Sequence, residues 1–204
     1  MFLLQRRSAV VLLIAVTFAL VRVDAVTLSP QSAESFAVKI ASIQDQGDQA
    51  GRAGSQRTRF TEDELNSWFV YRKDRWQKVL PTGVAQPQVT IIGAGQVAGQ
   101  ALVDLDAVAK RRSRGSFDPL SLIGGTVPVS VTGLLHTKAG QARFEVQSAE
   151  ISGIPVPVTV LQELVGYYSR TTENPEGVRL DEAFMLPAGI RQVEIGRGQA
   201  VVVQ

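Results

Sequence analysis

Between Thr126 and Arg170 the pattern of apolar and polar positions changes period once, and the change predicts a hairpin followed by a helix. Val127, Val129, Val131, Gly133 and Leu135 alternate with Pro128, Ser130, Thr132, Leu134 and His136, which is the two-residue period of a strand with one apolar face. Ala139-Gly140-Gln141 supplies a tight reversal, because glycine tolerates positive φ, and Phe144 and Val146 then resume the pattern facing one way. Beyond Gly153 and two prolines, Val158, Leu161, Leu164, Val165 and Tyr168 fall on one helical stripe. The spacing predicts strands over 126–138 and 142–152 and a helix over 157–170.

Upstream, Phe36, Ile40 and Ile43 form a weaker helical stripe over 30–46, and 44–56 is almost free of residues worth burying, which predicts a flexible loop. Phe60-Thr61-Glu62-Asp63-Glu64-Leu65 carries a helix start: Thr61 caps, Glu64 returns the bond three residues on, and Phe60 staples against Leu65. The helix it opens buries Leu65, Trp68 and Phe69. Downstream, Val178 to Leu186, Ile190 to Ile195 and Ala200 to Val203 read as strands, with Gly196-Arg197-Gly198 turning the last two.

Val89-Thr90-Ile91-Ile92 followed by Gly93-Ala94-Gly95-Gln96-Val97-Ala98 matches a dinucleotide fingerprint of the G-x-G-x-x-A kind. Such a site needs a helix and then a parallel strand ending in an acidic residue about 20 residues on. That place reads RRSRGSFDPLSL, whose Asp118 follows a basic loop. The glycines are therefore read as a turn between antiparallel strands at 87–93 and 96–109, and an oxidoreductase using Gly93–Ala98 is the third-ranked function. On this reading Val97, Val103 and Leu105 point inward, while Gln100, Asp104 and Asp106 point out.

Composition changes the picture at the amino terminus. Arg6 and Arg7 precede an apolar run from Ser8 to Val21, and Val23-Asp24-Ala25 suits cleavage, so residues 1–25 read as a secretory signal. Of 21 Lys and Arg and 19 Asp and Glu, this segment holds Arg6, Arg7, Arg22 and Asp24, so the remaining chain is neutral. Its charge gives no support for nucleic-acid binding. The organisation expected is a signal at 1–25, a helix and flexible linker at 26–57, and one domain at 58–204 exported to the periplasm or cell envelope.

Candidate chemistry is sparse. The chain has one His and no Cys, and it contains neither G-x-S-x-G nor H-E-x-x-H. Asp104 and Asp106 are read as solvated carboxylates, not a metal pair, and no cofactor, metal or catalysis is expected. The basic loop Lys110, Arg111, Arg112 and Arg114 suits peripheral contact with anionic headgroups at a membrane surface, at about 1 kcal/mol per cation. Ser116 to Gly125 adds Phe117, Leu120, Leu122 and Ile123 as an apolar rim.

The predicted strands carry more Val, Leu and Ile than two helices cover, which points to a ligand completing the core. Each acyl methylene buried there contributes roughly 0.8 kcal/mol, with no polar anchor required. FTEDELNSWF, GAGQVAGQALVDLDAVAK, SGIPVPVTVLQELV and LPAGIRQVEIGRGQAVVV, in this order, resemble the LmeA-like bacterial envelope proteins, near the tubular lipid-binding (TULIP) proteins. The resemblance implies an α+β fold, a strongly curved antiparallel sheet wrapped on one longer and one or two shorter helices, holding a phospholipid or other long apolar ligand. From the resemblance, the stripe Leu161, Leu164, Val165 and Tyr168 carries over with facing strand positions. The full expected lining adds Leu65, Trp68, Phe69, Val103, Leu105, Val129, Val131, Leu135, Phe144 and Val146. The alternative is an envelope adaptor whose groove is filled by its own side chains and which binds a protein partner.

Overall fold

A computed structural model describes residues 28–48, 56–77, 80, 83–109, 124–170 and 175–204. The expected signal at 1–25, the basic loop Lys110, Arg111, Arg112 and Arg114 and the apolar rim at 116–123 lie outside the described residues. The fold is α+β with two antiparallel sheets. Helix α1 spans Pro30–Asp48 and strand β1 Arg57–Thr61; α2 follows at Glu62–Tyr71 and a short α3 at Lys73–Trp76. Strands β2 (Val84–Gly93) and β3 (Gln96–Asp104) form a hairpin ending in a short α4, Leu105–Ala109. Next come β4 (Thr126–Lys138), β5 (Gln141–Ile151), the two-residue β6 (Ile154–Pro155) and α5 (Val158–Ser169). The chain closes with β7 (Phe184–Met185), β8 (Gln192–Gly196) and β9 (Gln199–Val203).

The larger sheet has the order β2-β3-β4-β5-β6, with β7 also pairing β5, and the smaller has the order β1-β9-β8. In the larger sheet β3 runs antiparallel to both β2 and β4, so the glycine-rich stretch closes a hairpin and no βαβ unit surrounds it. Ala94 and Gly95 sit at φ 52 and 84, the doubly positive geometry that suits the right-handed twist of a two-residue hairpin. Gly93, at φ +114, is needed for a second reason: a Cβ there would lie 3.2 Å from the Arg197 amide in the β8–β9 turn. What looks like a nucleotide fingerprint is the seam between two hairpins.

Helix α2 starts as its sequence dictates, with a complete capping box between Thr61 and Glu64. Phe60 and Val202 from the smaller sheet and Phe36 and Ile43 from α1 make one core, against which Leu65 and Trp68 pack. The Phe36 ring lies 5.1 Å from Phe60 and 5.5 Å from Trp68, within the range at which tilted aromatic pairs attract. Helix α1 thus packs in the same core as β9.

The two sheets are stitched by side chains that imitate a strand. Asn66, which is buried, donates from Nδ2 to the Val89 carbonyl at 2.7 Å and accepts from the Val89 amide at 2.8 Å. One turn earlier on α2, Glu62 accepts from the Ile91 amide at 2.6 Å. Residues 62 and 66 lie on one helix face and 89 and 91 on one strand edge, so α2 covers the free edge of β2. Thr137 on β4 does the same toward β8, donating to the Val193 carbonyl at 2.9 Å and accepting from its amide at 3.0 Å.

Candidate functional site

Strand β5 is where sheet and last helix meet. Its register with β4 slips between Thr132 and Gly133: Gly133 faces Val146 while Thr132 faces Ser148, leaving Gln147 as the extra residue of a bulge. Phe144 and Val146 before the bulge, and Ala149 and Ile151 after it, differ by an odd number of residues. The bulge absorbs that odd step and keeps all four on the face they share with Leu135, Gly133, Val131 and Val129. Gly133 has a further role, since a Cβ there would strike the Phe144 ring and the Glu145 carbonyl.

On its other side β5 meets β7 only at Gln141 and Ala142 and β6 only at Glu150 and Ile151. Among the described residues, 143–148 have no second strand beside them. A groove of about 430 Å³ runs there, walled by Phe144 and Val146, by Val158, Thr159 and Gln162 of α5, and by Leu180. Ligand sites usually fall between about 300 and 1,000 Å³. Its rim carries Arg143 and Glu145, 3.6 Å apart, and Arg179 and Asp181, 3.5 Å apart.

The far wall is held by α5. Gln162 donates to the Val178 carbonyl at 3.2 Å and accepts from the Leu180 amide at 2.6 Å, while Ser169 Oγ accepts from the Val178 amide at 2.6 Å. Gly177 lets the two backbones touch, because a Cβ there would overlap the Gly166 carbonyl. The segment 178–181, expected as a strand, is instead strapped to a helix, and strand β7 is confined to Phe184–Met185. Thr159, Gln162, Arg179, Leu180 and Asp181 are therefore site residues that sequence reading missed. Gly177 was the available signal.

The structure divides the predicted lining among different places. Phe144 and Val146 line the groove. Leu65, Trp68 and Phe69 are drawn to the α1 side: the first two join the Phe36 core, and Phe69 packs between Trp68 and Trp76 at ring distances of 5.6 and 6.3 Å. Leu105 lies in α4, not in a strand, and is buried with Val127 against Val103, Val129, Ile151 and Leu164. This cluster is filled by the protein's own side chains. Leu161 is buried, Val131, Leu135 and Val165 are half-buried, and the side chain of Tyr168 lies outside the described residues. Among the described residues, Leu164 of α5 packs on the second core while Val158 and Gln162 line the groove.

The expected polar bystanders have structural partners. Asp104 accepts from the Ala107 amide at 3.0 Å at the start of α4, and Asp106 accepts from the Gly125 amide at 3.1 Å. His136 is exposed and meets Glu145 at 3.0 Å. Among the described residues no group of three or more His, Cys, Asp or Glu is placed to hold a metal ion, and no helix is long and apolar enough to cross a membrane. Comparison with protein-family models, curated proteins and solved structures gives no match for this chain.

Proposed function

We propose that this protein is an exported, non-catalytic lipid-binding protein of the bacterial cell envelope, taking an acyl chain or comparable apolar ligand into the groove beside β5. The observation that carries the reading is the groove itself, where Phe144, Val146, Val158 and Leu180 gather beside β5, flanked by exposed charged side chains that include Glu163. A methylene chain laid on these apolar side chains gains roughly 0.8 kcal/mol per buried CH₂ without a specific polar contact. The apolar run before Ala25 supports export, and the resemblance to envelope lipid-binding proteins agrees in kind. Lys110, Arg111, Arg112 and Arg114 add the expectation of peripheral contact with anionic headgroups.

One observation favours the adaptor as a second reading. Among the described residues β5 has no second strand beside 143–148, of which 143–146 line the same groove, whereas the Ala149 carbonyl is taken by the Val156 amide. An extended segment of a partner protein would satisfy the open edge by adding a strand. Native mass spectrometry of freshly purified protein separates the two. Co-purifying lipid that is lost in Val146→Arg, from a chain beginning near Val26, is the expected result. A folded protein without lipid, unresponsive to a fluorescent fatty-acid tracer, overturns the lipid reading and leaves the adaptor.

A further inference from the structure

The polar face of the larger sheet holds a second cleft, of about 360 Å³, that the groove reading does not use. Its centre is a single row across four strands, since Gln88 faces Gln100, Gln100 faces Ser130 and Ser130 faces Glu150. Nearer the β4–β5 turn the same face closes on itself: Gln96 donates to Gln147 at 2.6 Å, and Glu145 pairs with both His136 and Arg143. The four side chains of the row make no such bonds to one another or to other described residues. Water or a ligand must serve them, and they converge on one concavity floored by Leu102 and Pro128.

The cleft's edge is shaped as well as its floor. The β2–β3 register slips between Ala85 and Gln88, and Gln86 sits in the left-handed region at φ 49, a conformation that is uncommon outside glycine and asparagine. That bulge brings the Gln86 side chain to the wall of the cleft. The result is two amides directly abreast with a hydroxyl and one carboxylate, and a third amide beside them. Amides both donate and accept, and a carboxylate accepts from two neighbouring hydroxyls at once. Among the described lining residues the only charged group is Glu150.

From this row we infer that the cleft binds a neutral saccharide, whose alternating hydroxyls match the donors and acceptors while its C–H face rests on Leu102 and Pro128. The row Gln88, Gln100, Ser130 and Glu150 alternates with the apolar positions Val89, Gly99, Val131 and Ile151 along its strands. None of the four lines the groove beside β5, so saccharide binding is tested separately from lipid binding. The test is titration of the isotope-labelled purified protein with maltose, cellobiose and N,N′-diacetylchitobiose, following the side-chain amide resonances. Shifts at Gln88 and Gln100 with at least one sugar, weakened about tenfold in Gln100→Leu and again in Glu150→Ala, are expected, because each removes a hydrogen-bonding partner. Gln100 and Glu150 are exposed, so both variants retain the fold. Absence of shifts at tens of millimolar of every sugar, equal binding in the variants, or stronger binding of glucuronate than of glucose overturns the assignment.

Discussion

Asn66 shows most plainly what one residue does in this fold. Its amide makes both bonds a neighbouring strand residue would make to Val89, inside a site where it is 3% exposed. Truncation leaves the amide and carbonyl of half-buried Val89 without these partners, at the lower end of the about 1–3 kcal/mol that each fully buried group would cost. Asn66→Ala is expected to lower the unfolding free energy by about 2 kcal/mol in a urea titration. Asn66→Asp keeps the acceptor for the Val89 amide but turns an oxygen toward its carbonyl, and is expected to cost at least as much. Glu64 is a different case. Burial raises its carboxyl pKa, but hydrogen bonds from Lys39 at 2.6 Å, from Ser35 at 2.5 Å and from the Thr61 amide at 3.0 Å outweigh that and hold it below the usual value. Its contribution is therefore fully present above the unfolded carboxyl pKa of about 4.3 and is lost as pH falls through the lower folded value. Glu64→Gln is expected to flatten the acid limb of the stability curve below about pH 4.3, and an unchanged limb in that variant would assign acid unfolding to other carboxylates. The Thr61 and Glu64 box was legible because its partners are three residues apart. The bonds from Lys39 and Ser35 were not, since they cross from another helix.

At the scale of elements, legibility followed the distance between partners. Strand β4 and the turns at Ala94-Gly95 and Ala139-Gly140 were readable because alternation and turn chemistry are local. Strand β1 was not, as RTRFT has one apolar residue and is made a strand by β9 at the other end of the chain. The end of β3 was overrun: Leu105 fits the alternation, but Asp104 caps a helical turn there. Residues 178–180 also alternate, yet their backbone bonds are taken by Gln162 and Ser169. The β4–β5 pairing carries its own prediction. Gly133 is buried and makes room for the Phe144 ring beside the bulge. Gly133→Ala is expected to destabilise the protein by about 1–3 kcal/mol through overpacking, and to displace Phe144, visible as a changed groove affinity. If stability falls but tracer binding is untouched, Phe144 is not part of the floor.

For the molecule as a whole, the decisive contrast is between the apolar surface that the protein covers itself and the surface it leaves open. From sequence, an excess of apolar strand faces implied one continuous site from Leu65 to Tyr168. In the structure most of that excess is spent on two cores, one built on Phe36, Phe60 and Val202 and one on Leu105 and Val127. The second core could not be read from periodicity, because it depends on Leu164 of α5 packing against the Leu105 and Val127 cluster. Among the described residues, Ile154, Val158 and Val160 stay exposed at 68%, 40% and 43% where α5 begins beside β5.

Two tryptophan substitutions separate core from groove. Leu164 packs among Leu105, Val127 and Ile151, so Leu164→Trp forces a larger side chain into filled space and is expected to cost about 1–3 kcal/mol or more. Val146 shares the sheet face with Phe144 but lines open volume, so Val146→Trp is expected to leave the thermal midpoint nearly unchanged while occupying the groove. The informative quantity is the ratio of lost binding to lost stability, read by tracer titration and thermal melt on the same preparations. Lipid binding beside β5 requires a high ratio for Val146→Trp and a low one for Leu164→Trp. The reverse ordering would move the ligand into the second core, between α5 and the strands carrying Val103 and Val129, and would mean that Leu164 closes over a ligand instead of over its neighbours.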